Sequence, residues 1–296
     1  MRRIVFIACL GLVSLGLQAQ SISLAGEWNV ELGKSGSAFA KSKRAFQGEV
    51  KRAILPGTID TNHLGFAPKD TMETTHLTRL YAYKGAARYS RTINIPKDWK
   101  KKPVELFLER TRPTWVYVDG ELVDSCNFIS TPQRYLLPKK VKSGKHLLEI
   151  VVDNGKGVPE QVYGSSHAYT EDTQTNWNGI IGRIELQLAS SVESKYAETL
   201  TGAIPSRSVA SPSALQMPDF AKDFHIEGAH FYANGHRIFL RGKHDAAVWP
   251  LTGHVEMSVE GWMKYLGTCK EYGINHVRFH SWCPPEAAFV AADSLG

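Results

Sequence analysis

The chain has 296 residues, 43% of them hydrophobic, and a formal net charge of +6 at pH 7. This composition is typical of a globular protein with room for two domains, and it excludes a fibrous or disordered chain. The charge excess is mild for this length, so we expect no nucleic-acid partner. Two basic runs, Lys97–Lys102 and Pro138–Lys145, contain proline or glycine turn signals. We interpret them as solvated turns between strands, with a functional surface as the less favoured alternative.

The first residues, MRRIVFIACLGLVSLGLQAQ, have the pattern of a secretory signal peptide. Arg2 and Arg3 precede an apolar run, and the small residue Ala19 lies where a signal peptidase would cleave. The run is shorter than the roughly 20 residues that cross a bilayer, which disfavours a membrane anchor. We therefore predict that residues 1–19 are removed and that the mature chain is secreted or periplasmic in a bacterium, with no membrane attachment.

Cysteine and histidine spacing indicates neither a disulfide framework nor a metal site. Beyond the signal peptide the cysteines are Cys126, Cys269 and Cys283, an odd number at irregular spacing. His276 and His280 are four residues apart, which would suit zinc on a helix, but their segment has no helical pattern. We expect no metal and no cofactor.

Residues 20–189 are a succession of short alternating runs broken by turn residues, the pattern of a β-sandwich. Asp119-Gly120 between two such runs predicts a two-residue hairpin. Residues 190–222 are rich in Ser, Ala and Pro without a sustained period, which predicts a linker.

The residue pattern changes again in residues 223–296. Asn234-Gly235 predicts a hairpin turn, and a helix is expected between an N-cap at Ser258 and a stop at Gly273. INHVRFH then has the pattern of a strand, and a second helix begins after two prolines and closes at Gly296. Strand, helix, strand, helix is the repeating unit of a parallel α/β fold.

Several motifs together give the chain a resemblance to a known family. They are SLAGEWNV, LPGTIDTN, ARYSRTINIP, WVYVDGELV, TNWNGIIGRIEL, NGHRIFLRGKHDAAVWPLTGH and YGINHVRFHSWCPPEAAFVAADSLG. In this order they resemble glycoside hydrolase family 2, which includes β-galactosidases, β-mannosidases and β-glucuronidases. The resemblance implies a galactose-binding-like jelly-roll β-sandwich, an immunoglobulin-like sandwich and a TIM barrel that hydrolyses O-glycosidic bonds with retention, using two glutamates.

The chain departs from that family pattern in two ways. The linker of residues 190–222 stands in place of the immunoglobulin-like domain, which needs about 100 residues. Residues 223–296 hold two βα units, whereas a TIM barrel has eight. The fold class we predict is therefore multidomain β plus α/β, a jelly-roll followed by the first two βα units of a TIM barrel. The family's glutamates follow the fourth strand and lie at the seventh, so we assign no catalytic residue in this chain and expect it to be inactive alone.

Candidate sugar-binding residues follow from strand alternation. In INHVRFH, the side chains of His276, Arg278 and His280 share one face, with Arg278 and His280 at the C-terminal end, where TIM-barrel enzymes place their chemistry. The resemblance implies that this arginine and histidine bind near the nucleophile and the sugar hydroxyls. The same alternation through RIFLRGKHDA places His244 at the site, as a hydrogen-bonding partner of a sugar hydroxyl.

Three further side chains are weaker candidates. Asp245 could bind a hydroxyl or cap a helix or loop, and Trp282, like Trp249, could stack on a pyranose ring or pack internally. Asn176 precedes the final strand of the sandwich, whose loops border the active site in the family, while its neighbour Trp177 is expected to cover the sandwich core.

The glutamates at helix starts, Glu256, Glu260 and Glu286, are explained by the helix dipole and are not assigned to catalysis. Three functions remain open. The chain is a truncated secreted glycosidase of β-galactosidase-like type, a non-catalytic carbohydrate-binding protein that uses the jelly-roll, or an adhesion scaffold. The expected partner is a carbohydrate, a β-glycoside or a plant or host glycan. The genomic sequence that follows the Gly296 codon distinguishes the first function from the second, and binding to a glycan array distinguishes the second from the third.

Overall fold

The computed structural model describes residues 21–36, 46, 48–67, 72, 74–75, 77, 79–171, 174–189, 223–246 and 248–296. The predicted signal peptide (1–19) and the predicted linker (190–222) lie outside the described residues. Among the helices that are described, none has the length and apolar character needed to cross a membrane.

The first part of the chain forms strands β1 to β11. They are β1 Ser21–Ser23, β2 Gly26–Gly33, β3 Lys51–Leu55, β4 Gly57–Thr58, β5 Ala86–Ile95, β6 Val104–Thr111, β7 Thr114–Val118, β8 Glu121–Cys126, β9 Gln133–Leu136, β10 Gly144–Asp153 and β11 Gly179–Leu188. One antiparallel sheet has the order β3-β2-β5-β10-β7-β8, and the other has the order β1-β11-β6-β9 with β4 beside β11. The two sheets form the predicted β-sandwich.

The sandwich core lies between the two sheets because the inward positions of the strands are apolar. Trp28, Leu106 and Ile150 are at most 1% exposed and belong to one cluster that spans both sheets. Burial of each such side chain contributes about 1.5–3 kcal/mol. The predicted hairpin is confirmed as well, since Asp119 (φ 53°) and Gly120 (φ 80°) join β7 to β8 in the left-handed conformation that a two-residue turn requires.

Residues 223–296, called the C-terminal unit below, contain five short strands and two helices among the described residues. These are β12 Phe224–Glu227, β13 His230–Ala233, β14 His236–Ile238, β15 Gly242–Asp245, β16 His276–Phe279, α2 Val259–Glu271 and α3 Glu286–Leu295. A short helix α1, Glu160–Ser165, precedes them in the sandwich and was not predicted from the sequence. Strands β12 to β14 form an antiparallel sheet, and β15 pairs with β16 in parallel.

The helix and turn signals of the C-terminal unit are confirmed. The Ser258 side chain accepts a hydrogen bond from the backbone N–H of Gly261 (3.1 Å) at the start of α2, and Gly273 follows the helix at φ 79°. Asn234 and Gly235 form the turn between β13 and β14. The strand–helix–strand–helix order is present, with parallel pairing, while its place in a TIM barrel stays a prediction.

The C-terminal unit packs on the sandwich through a second apolar cluster. Its buried residues are Trp177 and Ile181 from the sandwich, and Val255, Trp262, Leu266, Ala287, Ala288 and Ala291 from the C-terminal unit. A hydrogen bond from Arg110 of β6 to the backbone oxygen of Cys283 (2.8 Å) also joins the two parts. Trp177 therefore covers this junction and not the sandwich core, which corrects the expectation drawn from the sequence.

Candidate functional site

The parallel strands β15 and β16 end side by side. His244 lies opposite Arg278, and the backbone N–H of His280 donates to the backbone oxygen of Asp245 (2.7 Å). Val277 and Phe279 pack against the second apolar cluster, whereas Arg278 is exposed. The predicted alternation of INHVRFH is therefore confirmed, and its polar face is available to a ligand.

The polar face forms what we call the histidine cluster: His167, His244, His280 and Arg278. The His280 ring lies 4.5 Å from the ring of His244 and 4.6 Å from that of His167, edge to face in both pairs. An Arg278 Nη1 lies 2.9 Å from Nδ1 of His280. His167 comes from the sandwich, just after α1, so both parts of the chain contribute to the cluster. The sequence offers no periodic signal for His167, and sequence reasoning missed it.

The permanent positive charge of the histidine cluster is that of Arg278. Desolvation, together with the charges of His244, His167 and Arg278, lowers the pKa of His280 below its usual value. In the neutral ring, Nδ1 accepts the hydrogen bond from Arg278, so Nε2 carries the proton and can donate. The cluster thus presents guanidinium and imidazole N–H donors, which suit oxygen ligands and above all an anionic group.

Asp245 and Trp282 support the strand ends from the opposite side. The Asp245 side chain is 4% exposed, and its Oδ2 accepts hydrogen bonds from Lys243 (3.0 Å) and from the Tyr265 hydroxyl on α2. Trp282 donates from Nε1 to the backbone oxygen of Asp245 (3.0 Å) and stacks on Trp262. Their contacts in this structure are internal, and sugar binding by either stays a prediction.

Asn176 also makes internal contacts. It is 7% exposed, and its Nδ2 donates to the backbone oxygen of Asn154 (2.9 Å). Its own backbone oxygen accepts from Arg79 (3.2 Å) and from the Asn154 side chain (2.6 Å). The residue fixes the chain that leads into β11, and its predicted sugar contact is likewise untested.

Arg112 holds the sandwich loop that carries His167. It is 1% exposed and donates to the backbone oxygens of Ala168 (2.6 Å), Thr175 (3.0 Å) and Trp177 (3.0 Å). Its guanidinium lies between the rings of Tyr169 (4.2 Å) and Trp177 (4.1 Å). Burial lowers the pKa of Arg112 to about 10. This residue was not foreseen, because its role depends on chain that is more than 50 residues away.

The glutamates considered from the sequence lie at or near helix starts. Glu256 Oε1 accepts from the backbone N–H groups of Met257 (2.9 Å) and Ser258 (2.7 Å). Although burial raises the pKa of Glu256, the hydrogen bonds from Ser258 and Met257 bring it below its usual value. Glu260 and Glu286 lie in the first turns of α2 and α3. In the part of the chain that the structure describes, no group of three or more His, Cys, Asp or Glu side chains could hold a metal ion.

Comparisons with known proteins bear on the fold. No protein-family model and no curated protein matches the sequence. Among solved structures, a glycoside hydrolase family 2 β-galacturonidase from Eisenbergiella tayi bound to galacturonate matches 94% of this chain with a TM-score of 0.60 and 15% identity, and its glycerol-bound structure gives the same values. A β-glucuronidase from an uncultured Clostridium matches 60% of the chain with a TM-score of 0.44 and 16% identity.

The chain spans 56% of the length of the galacturonidase and 30% of the length of the glucuronidase. Both neighbours are glycosidases by their descriptions. At 15% identity the likeness to the galacturonidase concerns the fold alone: this chain has a fold similar to part of that glycoside hydrolase family 2 enzyme.

Proposed function

We propose that this chain is part of a secreted β-glycosidase of the family 2 type, in which the histidine cluster binds the sugar. The observation that carries the proposal is the meeting of His167 from the sandwich with His244, Arg278 and His280 at the C-terminal ends of two parallel strands. Sites at such strand ends are where α/β enzymes bind ligands.

The chemistry of the cluster favours a sugar that carries a carboxylate. Arg278 presents a permanent positive charge, and guanidinium–carboxylate hydrogen bonds are among the strongest in proteins. The imidazole N–H groups of His244 and His280 can add donors to the same anion or to neighbouring hydroxyls. The fold likeness to a galacturonidase bound to galacturonate supports the same class of ligand.

The residues described here provide binding and orientation rather than bond cleavage. Retaining hydrolysis needs two carboxyl groups about 5–5.5 Å apart. Glu256 already binds two backbone N–H groups before α2, and Asp245 is occupied by Lys243 and Tyr265. The same engagement favours a second candidate, a non-catalytic carbohydrate-binding protein.

Calorimetric titration of the 296-residue polypeptide with galacturonate and with galactose tests the proposal. We expect binding of galacturonate but weak or undetectable binding of galactose. Arg278→Ala should weaken galacturonate binding about 10- to 100-fold, since a hydrogen bond to a charged group contributes about 1.5–3 kcal/mol. Arg237→Ala, which removes an exposed arginine from β14, is the matched control and should bind as the unaltered chain does. Equal affinity for the two sugars, or unchanged binding in Arg278→Ala, would contradict the proposal.

A further inference from the structure

Two turns that each cross from one sheet of the sandwich to the other lie side by side at one end. Residues 96–103 connect β5 to β6, and residues 137–143 connect β9 to β10. Gly144 of β10 lies opposite Ile95 of β5, and the backbone N–H of Leu137 donates to the backbone oxygen of Val104 (2.8 Å). The strands that leave one turn are therefore the hydrogen-bonded neighbours of the strands that leave the other.

These turns and the adjoining start of β10 concentrate positive charge, and we call residues 96–103 and 137–145 together the basic end. It contains eight exposed lysines: Lys97, Lys100, Lys101, Lys102, Lys139, Lys140, Lys142 and Lys145. Within residues 96–103 and 137–145 the acidic residue is Asp98, and Glu121 from the adjacent hairpin forms an ion pair with Lys140. Once Asp98 and Glu121 are counted against the eight lysines, this end carries an excess of +6, equal to the formal excess of the whole chain.

The backbone beneath the lysines is held in place. Trp99 is 3% exposed and belongs to the sandwich core, and the backbone N–H of Lys102 donates to its backbone oxygen (3.0 Å). In the other turn, Val141 N–H donates to the backbone oxygen of Pro138 (2.8 Å), and a ring nitrogen of His146 lies 2.8 Å from the backbone oxygen of Lys142. The lysine side chains therefore project from a fixed base, which limits the ordering cost of binding.

We propose that the basic end is a second ligand surface, which binds an acidic polysaccharide at a distance from the histidine cluster. A dense array of one charge sign raises the local concentration of the opposite charge. Strands β5 and β10 are each ten residues long. They run between the basic end and the opposite end of the sandwich, from which the chain continues toward His167, so the two sites are separated by roughly 30 Å. Only a polymer could contact both. The choice of an acidic glycan rests on the proposed function, whereas the charge array does not.

The structure favours a glycan over a single-stranded nucleic acid. Proteins that bind such strands stack bases on exposed aromatic side chains. In residues 96–103 and 137–145 the aromatic residue is Trp99, and it is buried in the sandwich core. A surface of lysines without an aromatic platform suits repeated carboxylate or sulfate groups better.

Affinity electrophoresis of the full chain in gels that contain polygalacturonate or a neutral galactan tests the inference. Replacing Lys97, Lys101 and Lys145 together by Gln should weaken retardation by polygalacturonate at least about fivefold, because these exposed charges act over roughly 10 Å at 0.1 M salt. The control variant replaces the exposed lysines Lys51, Lys156 and Lys264 by Gln, which removes the same charge elsewhere, and should change retardation less than about twofold.

Titration with monomeric galacturonate separates this inference from the proposed function, since the basic-end variant should keep its affinity for the monomer. Equal losses in both triple variants would mean that net charge alone acts, and the inference would be wrong. It would also be overturned by unchanged retardation in the basic-end variant. The inference would likewise be wrong if a DNA duplex or anionic phosphatidylserine vesicles bound through these lysines as tightly as polygalacturonate does.

Discussion

The loop that brings His167 to the histidine cluster should depend on Arg112. Replacing Arg112 by Met keeps an unbranched side chain between Tyr169 and Trp177 but removes three hydrogen bonds to buried backbone oxygens. We expect the protein to fold but with reduced stability, and with the loop less firmly held against the C-terminal unit.

The magnitude follows from opposing contributions. Three buried carbonyls that lose their donor cost about 2 kcal/mol each, or about 6 kcal/mol together. The lowered pKa of Arg112 shows that burying its charge is unfavourable by about 3 kcal/mol, which the neutral methionine recovers. Loss of the cation–π contacts is roughly offset by sulfur–aromatic contacts. The free energy of unfolding should therefore fall by about 3 kcal/mol.

Urea unfolding of the full chain, followed by tryptophan fluorescence, measures this difference. Trp177 packs against the guanidinium and reports on the loop. Arg52→Met is the matched control, because Arg52 is 69% exposed and its ion pair with Glu27 should contribute at most about 1 kcal/mol. If Arg112→Met is no more destabilising than Arg52→Met, Arg112 does not hold the loop.

Three further predictions concern the sandwich, its junction with the C-terminal unit, and activity. A polypeptide of residues 24–188 should unfold in one cooperative thermal transition with β-type circular dichroism, and a disordered spectrum would refute an independent sandwich. Burial lowers the pKa of His254, whose Nδ1 donates to the backbone oxygen of Val255 (2.8 Å), so stability should fall as pH decreases from about 6.5 toward that lower pKa. In His254→Asn the urea midpoint should change less between pH 7.5 and 5.5 than in the unaltered chain, and an equal change in the two proteins would contradict the prediction. The purified 296-residue polypeptide should show no turnover of nitrophenyl β-galactoside, β-glucuronide or β-mannoside above a buffer blank; activity that Glu256→Gln or Glu286→Gln abolishes would refute this.

The sequence predicted features that depend on a few neighbouring residues. The Asp119-Gly120 and Asn234-Gly235 turns need positive φ at both positions, which Asp, Asn and Gly tolerate best, and the structure has it there. Alternation in INHVRFH separated Val277 and Phe279, which are packed, from Arg278, which is exposed. The apolar and polar faces of one strand suffice for such a prediction.

Features that depend on chain folding were missed or misplaced. The sequence pattern predicted one strand through residues 238–244, but β14 ends at Ile238 and β15 begins at Gly242, so the alternation holds only within each of these two strands. His167 and Arg112 have no local pattern, because their partners lie far away in sequence. Trp177 is buried as expected, but its neighbours come from the C-terminal unit, which the sandwich sequence alone cannot reveal.

The position of the sugar itself tests the central claim most directly. A crystal structure of the chain soaked with galacturonate should show the sugar carboxylate within hydrogen-bond distance of the Arg278 guanidinium, with His244 or His280 contacting the same sugar. Galacturonate bound elsewhere, with the histidine cluster unchanged and open to solvent, would contradict the assignment of this cluster as the sugar site.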